Sequence, residues 1–311
     1  YKIAMNDTRL NADGITPVVP LLEYIDTLTR GDLEKYLGYM HTFSGAFWSD
    51  GVGLDEMDSE HFLYNIGQGG LGLSRDYYFD TDAKSVEIRK KYKEFIAKQM
   101  ANFGVTVDVD KLYALEMRMA KSFYPKEKLR DPHANYHKMS INEIKEKFTG
   151  FDWETFLETR GANAANFINI GQPEAIAESI AIMNDTDFEL IKTYLKYRIV
   201  CAADSVLDDK SYNIAFDFYN RTMAGQKEQK PRWKRVVAMI DDALGEEVGK
   251  LYVEKYFSGD AKIRMQTLVK NLQRAYAMRI EKLDWMSDTT KQKALEKLST
   301  FRAKIGYPDK W

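Results

Sequence analysis

The chain has 311 residues, of which 44% are apolar and 13% aromatic, enough to build a substantial hydrophobic core. Its 45 basic and 47 acidic residues nearly cancel, which argues against nucleic acid or an anionic membrane surface as a partner. The sequence contains no apolar run of the roughly 18 residues that a membrane span needs, and its single cysteine excludes an internal disulfide.

The first 65 residues offer few signs of β-structure. Two Asp-Gly pairs, Asp13-Gly14 and Asp50-Gly51, lie in polar surroundings rather than between alternating apolar runs, so we expect loops there and no β-hairpin. His41 and His61 stand far apart, and neither has a cysteine or glutamate at ligand spacing. We expect both histidines to be surface or partly buried side chains.

A glycine-rich segment follows at Gly67-Gln68-Gly69-Gly70-Leu71-Gly72 and fits the dinucleotide-binding pattern G-x-G-x-x-G. In a dinucleotide site a strand precedes the glycines and a capped helix follows them at once. Here the residues Ser74 to Phe79 come next, and the flanking segments are predicted to be helices. The segment therefore predicts a tight structural turn between helices rather than a nucleotide site.

Amphipathic helices occupy the middle of the chain. One ends at Gly104, a residue suited to the left-handed cap, and has apolar residues at steps of three and four. This apolar stripe, which must meet a core, comprises Ile88, Tyr92, Ile96, Met100 and Phe103. Two capping boxes, Ser140 with Glu143 and Thr186 with Glu189, predict the starts of two further helices.

His133 and His137 have the spacing with which two imidazoles can bind one zinc ion from a single helix face. The glutamate that a metalloprotease needs as general base after the first histidine is missing, because Ala134 holds that position. Pro132 and Asn135 indicate a loop or a helix entrance. A loop pair with local hydrogen bonds is favoured over a metal site, which remains the alternative.

Other signals of chemistry are weak. Cys201 lies in an apolar run without basic or histidine neighbours, which favours a buried small side chain over a nucleophile. Lysines and aromatic residues interleave at 90–95 and 230–235, but a helix with one solvated face explains the first run and the second is short. We therefore predict no catalytic and no metal-binding residue in this chain, and the substrate-binding residues stay unknown.

The C-terminal third contains the clearest helical periodicity, an apolar stripe at steps of three and four from Met265 to Leu283, which predicts a helix of about 36 Å between Gly259 and Ser287. Ser287 is the predicted N-cap of one more helix. The polar segment 225–231 is a weak possible seam, but nothing resembles a linker, so residues 1–311 read as a single lobe. The predicted fold class is all-α, a large multi-helix lobe with long amphipathic helices and little or no sheet.

Several segments occur in the order and spacing typical of one protein family. They are residues 70–78, 129–132, 136–139, 231–233, 244–257, 285–291 and 305–308. On these segments the chain resembles the N-terminal helical lobe of neprilysin-like, or endothelin-converting-enzyme-like, zinc metalloendopeptidases. His137 departs from the asparagine more usual in the family. Val236-Val237 stands near the position of a disulfide cysteine in animal members, which indicates a bacterial member. Its location stays open between the cell envelope or export and the cytoplasm.

The resemblance implies a non-catalytic lobe that helps to close a cavity admitting only small peptides. Zinc is implied for the intact enzyme, but this chain lacks the H-E-x-x-H helix and is expected to bind no cofactor and to be inactive alone. The implied partners are the C-terminal catalytic lobe of the same polypeptide and small peptide substrates, and the chain reads as a fragment. A stand-alone helical binding or scaffold protein is the alternative, and a metal enzyme using His133 and His137 is the third hypothesis.

Overall fold

The computed structural model describes all residues, Tyr1–Trp311, with 61% of them in helices and 8% in strands. Two compact units are present: a large unit, Asn6–Gln229, and a terminal unit made of Tyr1–Met5 and Lys230–Trp311. The prediction of a helix-dominated fold is confirmed. The prediction of a single lobe with a weak seam at residues 225–231 stays a prediction.

The large unit contains twelve α-helices. In chain order they are α1 Asp7–Asp13, α2 Val19–Thr27, α3 Leu33–Met40, α4 Asp76–Phe79, α5 Ala83–Asn102, α6 Val109–Ser122, α7 Lys126–Leu129, α8 Ile141–Lys147, α9 Trp153–Thr159, α10 Pro173–Asp185, α11 Phe188–Ala203 and α12 Asp209–Ala215. Two 3-10 turns occur at Arg30–Asp32 and His133–Asn135, and a π-helix, Phe216–Met223, continues from α12.

Local capping explains where the predicted helices begin and end. Helix α5 ends just before Gly104, which has a φ of 69°, and the apolar stripe of this helix is buried as predicted. Ser140 and Glu143 form the predicted capping box at the start of α8. The box predicted at Thr186 is wrong: Asp187 is the N-cap of α11, and Thr186 is the C-cap of α10.

A small mixed sheet in the large unit is the main departure from the predicted fold. Its strands are β1 Trp48–Asp55, β2 Asp58–Gln68, β3 Lys138–Ser140 and β4 Phe167–Ile170. The order is β1-β2-β4-β3, with β2 and β4 parallel and the other two pairs antiparallel. The loop predicted at Asp50-Gly51 is therefore wrong, because this pair lies inside β1, and a hairpin turns at residues 56–57.

The hydrophobic core lies in the large unit, where aromatic side chains occupy much of it. Trp48, the first residue of β1, stacks on Trp153 of α9 with ring centroids 5.8 Å apart, and both rings are almost fully buried. Tyr92 of α5 and Tyr194 and Tyr197 of α11 are also fully buried. The sheet and the helices around it therefore share one core.

The terminal unit consists of three helices, α13 Arg232–Tyr256, α14 Gly259–Glu281 and α15 Asp288–Ser299. Helix α13 kinks at Leu244, and Ser287 is the N-cap of α15 as predicted. Helix α14 confirms the predicted long helix, but most of its apolar stripe is exposed. None of the helices in the structure combines the length and the apolar character that a membrane crossing requires.

Candidate functional site

The structure places His133 and His137 in the same loop but gives them separate contacts. His133 lies in a 3-10 turn, where its backbone N–H donates to Asp131. The Nδ1 atom of His137 lies 3.0 Å from the carbonyl oxygen of Ile170 in β4. No three His, Cys, Asp or Glu side chains of residues 1–311 are grouped so that they could hold a metal ion. The imidazole of His137 is thus bonded to a strand, while His133 contributes its backbone N–H to the loop, so the two histidines have different partners.

His41 is more enclosed than expected, because it belongs to a buried polar cluster. Its imidazole and the Asp50 carboxylate are 1% and 2% exposed, and they form a hydrogen-bonded pair. Asp50 also accepts hydrogen bonds from the Tyr64 hydroxyl and from Arg160, whose Nε lies 2.7 Å away. Burial alone would raise the pKa of Asp50, but the hydrogen bonds from His41, Tyr64 and Arg160 lower it.

This cluster joins three parts of the fold around a single carboxylate. His41 follows α3, Asp50 lies on β1, Tyr64 lies on β2, and Arg160 follows α9. With three donors on Asp50 and almost no solvent access, the arrangement satisfies a buried charge. The cluster therefore anchors the hairpin to the helices rather than presenting a reactive group.

The glycine-rich segment runs from the end of β2 towards α4, so it connects a strand to a helix and not two helices as expected. Gly70 has a φ of 92°, and a Cβ atom there would lie 2.6 Å from the backbone nitrogen of Phe47. A Cβ atom on Gly72 would lie 2.7 Å from Cζ of Tyr92 and 2.8 Å from the hydroxyl oxygen of Tyr197. Close approach to neighbouring groups thus explains these two glycines without a nucleotide.

A buried carboxylate, Glu116 of α6, holds this segment in place. Its two oxygens accept hydrogen bonds from the backbone N–H of Gly72 at 3.0 Å, the Tyr78 hydroxyl at 2.9 Å and the Tyr92 hydroxyl at 2.7 Å. Tyr92 also bonds Tyr197 at 2.8 Å. Burial raises the pKa of Glu116 although these hydrogen bonds oppose the change. No sequence signal marks this cluster, because its members come from five separate segments.

Cys201 and His61 lie outside these clusters. Cys201 packs against the core, and burial raises the pKa of its thiol to about 12, which disfavours the nucleophilic thiolate. The His61 side chain is 71% exposed and pairs with Asp58 at 2.8 Å, as expected for a surface histidine.

An open groove of about 410 Å³ runs along one face of the hairpin. Glycines of β1 and β2 leave room in it, and the amide side chains of Asn65, Asn135, Asn169 and Gln172 contribute to its lining. The amides bond in pairs: Asn169 donates to Asn65 at 3.1 Å, and Gln172 donates to Asn135 at 2.7 Å. The groove therefore has a fixed polar lining that could contact a peptide backbone.

The terminal unit presents a different surface, a series of exposed apolar side chains. Along α14, Met265, Leu268, Leu272 and Tyr276 follow one another at steps of three and four and are 42%, 51%, 51% and 61% exposed. Leu251, Tyr252, Tyr256 and Trp285 are also more than half exposed. Scattered exposed apolar residues are ordinary, but a continuous helix stripe marks a surface suited to a protein partner.

These features define the class of the chain: a helix-dominated lobe with buried polar clusters that fix its shape and an apolar helix face. The model of peptidase family M13 matches residues 1–308. The chain therefore belongs to peptidase family M13, and the matching model is that of the N-terminal part of the family, which confirms the resemblance found in the sequence.

Individual relatives agree with this assignment. The chain is 28% identical to membrane metallo-endopeptidase-like 1 of Mus musculus over 99% of its own length and 45% of that protein. It is 26% identical to a neutral endopeptidase of Lactobacillus helveticus, covering 49% of it. A solved structure of the zinc metalloprotease Zmp1 of Mycobacterium tuberculosis with an inhibitor matches with a TM-score of 0.90 and 30% identity, over 99% of this chain and 48% of that one. The chain thus spans about half the length of these relatives.

Proposed function

We propose that this chain is the non-catalytic, cavity-forming lobe of a zinc-dependent endopeptidase that hydrolyses small peptides. The observation that carries the proposal is the match of nearly the whole chain to about half of each metalloendopeptidase. The other half of those relatives has no counterpart in these 311 residues. We assign the zinc site and the bond-breaking chemistry to that half, the C-terminal catalytic lobe of the same polypeptide.

The proposal places the zinc outside this lobe. His133 has no side-chain partner in common with His137, and the residues of the chain include no group of three potential zinc ligands. A catalytic zinc site needs three protein ligands and an open position. The zinc named in the relatives therefore belongs, in this proposal, to the intact enzyme and not to this chain.

The exposed stripe of α14 supports a partner of matching apolar character. Met265, Leu268, Leu272 and Tyr276 lie on one helix face, where each would be removed from water by a neighbouring lobe. Burial of such side chains stabilises an interface by about 25 cal/mol for each Å² of apolar surface. We assign this face to the contact with the catalytic lobe.

The buried clusters support a role in shaping a cavity. Glu116 and Asp50 each hold segments that are far apart in the sequence through several short hydrogen bonds. Fully satisfied buried networks make a fold rigid and unique. A wall that selects peptides by size needs such rigidity, and the amide-lined groove near Asn65 and Asn169 gives it a polar surface for a peptide backbone.

The proposal is tested by measuring zinc content and the cleavage of a quenched fluorescent peptide. The chain alone should hold no zinc and cleave nothing, and the chain combined with the catalytic half that completes it should bind about one zinc ion and cleave the peptide. Zinc-dependent cleavage by the chain alone would refute the assignment and would make His133 and His137 the first residues to replace.

A pair of α14 variants makes this test specific to the proposed interface. Leu268→Glu with Leu272→Glu should abolish reconstituted cleavage, because two charges would enter an apolar contact. Lys270→Glu is the matched control, since residue 270 lies on the opposite side of the helix from both leucines. A stand-alone scaffold protein, the alternative function, predicts that no combination yields cleavage.

A further inference from the structure

A second cavity, of about 600 Å³, lies in the large unit among α2, α3 and α9. Three tyrosines line it, Tyr24 from α2 and Tyr36 and Tyr39 from α3. Their ring centroids are 5.7 Å apart between Tyr24 and Tyr36 and 6.3 Å apart between Tyr36 and Tyr39. Phe43 continues the row 5.4 Å beyond Tyr39. The cavity thus carries a row of aromatic rings of the kind that receives an extended ligand.

The middle ring of this row has a polar group without a partner. Tyr36 is only 4% exposed, and its hydroxyl makes no hydrogen bond in the structure. Buried tyrosine hydroxyls almost always have a partner, because an unsatisfied polar group destabilises the fold. Burial, with the neighbouring phenols of Tyr39 and Tyr24, raises the pKa of Tyr36, so this hydroxyl keeps its proton and can donate it.

The polar groups at the edge of the cavity indicate which charge and which hydrogen-bonding groups a ligand should have. Asp32 and Lys35 contribute one charge of each sign, so the cavity favours neither an anion nor a cation. One oxygen of Asp32 already accepts hydrogen bonds from the backbone N–H and the hydroxyl of Thr29. A fitting ligand is therefore neutral, has apolar rings and offers hydrogen-bond acceptors to Tyr36 and Lys35.

We propose that this cavity binds a proline-rich peptide segment in the polyproline II conformation. Proline rings pack between aromatic side chains, and a segment without N–H groups leaves its carbonyl oxygens free to accept hydrogen bonds. Tyr24 and Tyr39 are 55% and 49% exposed, so their rings are accessible to a ligand and free to adjust their rotamers around it. An oligosaccharide fits less well, because its many hydroxyls need acceptors as well as donors.

The test is a titration of the 311-residue chain with a blocked, fluorescently labelled decaproline peptide, followed by anisotropy. We expect saturable binding, which Tyr39→Ala should weaken about tenfold through the loss of one aromatic anchor. Tyr36→Phe should weaken binding about fivefold, the effect of one hydrogen bond. Because Tyr36→Phe keeps the packing and removes only the unpartnered hydroxyl, its melting temperature should equal or exceed that of the wild type.

Controls separate this cavity from nonspecific contact with aromatic side chains. Tyr256→Ala removes a tyrosine of the terminal unit that is 64% exposed, and it should leave the affinity unchanged. A glycine-serine peptide of equal length should not bind. The proposal is overturned if decaproline does not saturate the chain, if the glycine-serine peptide binds equally well, or if Tyr39→Ala and Tyr36→Phe leave the affinity unaltered.

Discussion

Replacing Gly72 by alanine should destabilise the large unit strongly. The added Cβ would overlap the Tyr92 hydroxyl and lie 2.7 Å from Cζ of the same ring and 2.8 Å from the Tyr197 hydroxyl. A flexible side chain could move aside, but both tyrosines are fully buried and bonded to each other, and Tyr92 is also bonded to Glu116. Relieving the clash therefore requires Tyr92 to move away from the buried carboxylate of Glu116.

Two contributions set the size of this effect. Overpacking of a dense core costs about 1–3 kcal/mol. Displacing the Tyr92 hydroxyl from Glu116 leaves a buried carboxyl with one donor fewer, which costs about another 1–3 kcal/mol. We therefore expect Gly72→Ala to lower the free energy of unfolding by roughly 2–6 kcal/mol. The residue is glycine for reasons of space, since its φ does not fall in the left-handed region.

The assay is urea unfolding followed by tryptophan fluorescence, to which Trp48 and Trp153, buried in the large unit, contribute. Gly51→Ala is the control, because a Cβ there meets nothing within 4 Å, and it should change the stability by less than about 0.5 kcal/mol. Combining Gly72→Ala with Tyr92→Phe removes the overlapping oxygen. The double variant should be at least about 1 kcal/mol more stable than the sum of the single effects predicts, and simple additivity would refute the reasoning.

Three further variants test electrostatics and association. The hydrogen bond from Lys138 lowers the pKa of Asp55 from 3.8 to about 2. This pair therefore stabilises the fold above pH 4, and its contribution is lost as the pH falls towards 2. Asp55→Asn should flatten the curve of melting temperature against pH in this range. Burial raises the pKa of Asp204 from 3.8 to about 7, so stability is lost as the pH rises from 4 to 7. Asp204→Asn should therefore raise the melting temperature at pH 8 and raise it far less at pH 5. The gain in the free energy of unfolding at pH 8 should be at most about 4 kcal/mol. The chain alone should associate through its apolar surface, and Leu268→Glu with Leu272→Glu should shift its sedimentation towards the monomer.

Each of these three predictions would be contradicted by a specific result. Equal loss of stability below pH 4 in the wild type and in Asp55→Asn would contradict the role given to Lys138. A gain from Asp204→Asn that does not depend on pH would mean that burial of the charge is not the cause. Sedimentation of the unmodified chain as a monomer at high concentration would count against the apolar interface on α14.

The helices were predictable because their signals are local. The apolar stripe of α5, its end at Gly104 and the cap at Ser140 are all contained within a few turns of sequence. The error at Thr186 is of the same kind: two residues that can cap a helix stand side by side, and the structure uses Asp187 although its side chain makes no cap hydrogen bond. The predicted start of α11 is therefore off by one residue, while the helix itself is predicted correctly.

The sheet was missed for two different reasons. Strand β2 does alternate, with Phe62, Tyr64 and Ile66 on one face, but glycines interrupt β1 and hide the hairpin. The remaining strands carry almost no local signal. In the parallel pair, Tyr64 lies opposite Ile168, a residue about a hundred positions away, and tertiary contacts alone place β4 there. The amide-lined groove depends on this pairing, so it could not be predicted either.

Variants of this chain should have one of two effects: loss of folding stability at the buried polar groups, or loss of association at the exposed face of α14. Glu116 and Asp50 are surrounded by donors inside the large unit, so changes around them alter the stability and shape of the fold and leave no reactive group to lose. Leu268 and Leu272 are half exposed in the terminal unit, so changing them should leave the melting temperature almost unaltered and affect only association. If the lobe acts by shape and by contact with a catalytic partner, the first kind of variant should reduce peptide cleavage in proportion to the fraction unfolded. The second kind should reduce cleavage while the lobe stays folded, a distinction that cleavage and melting curves measured on the same samples resolve.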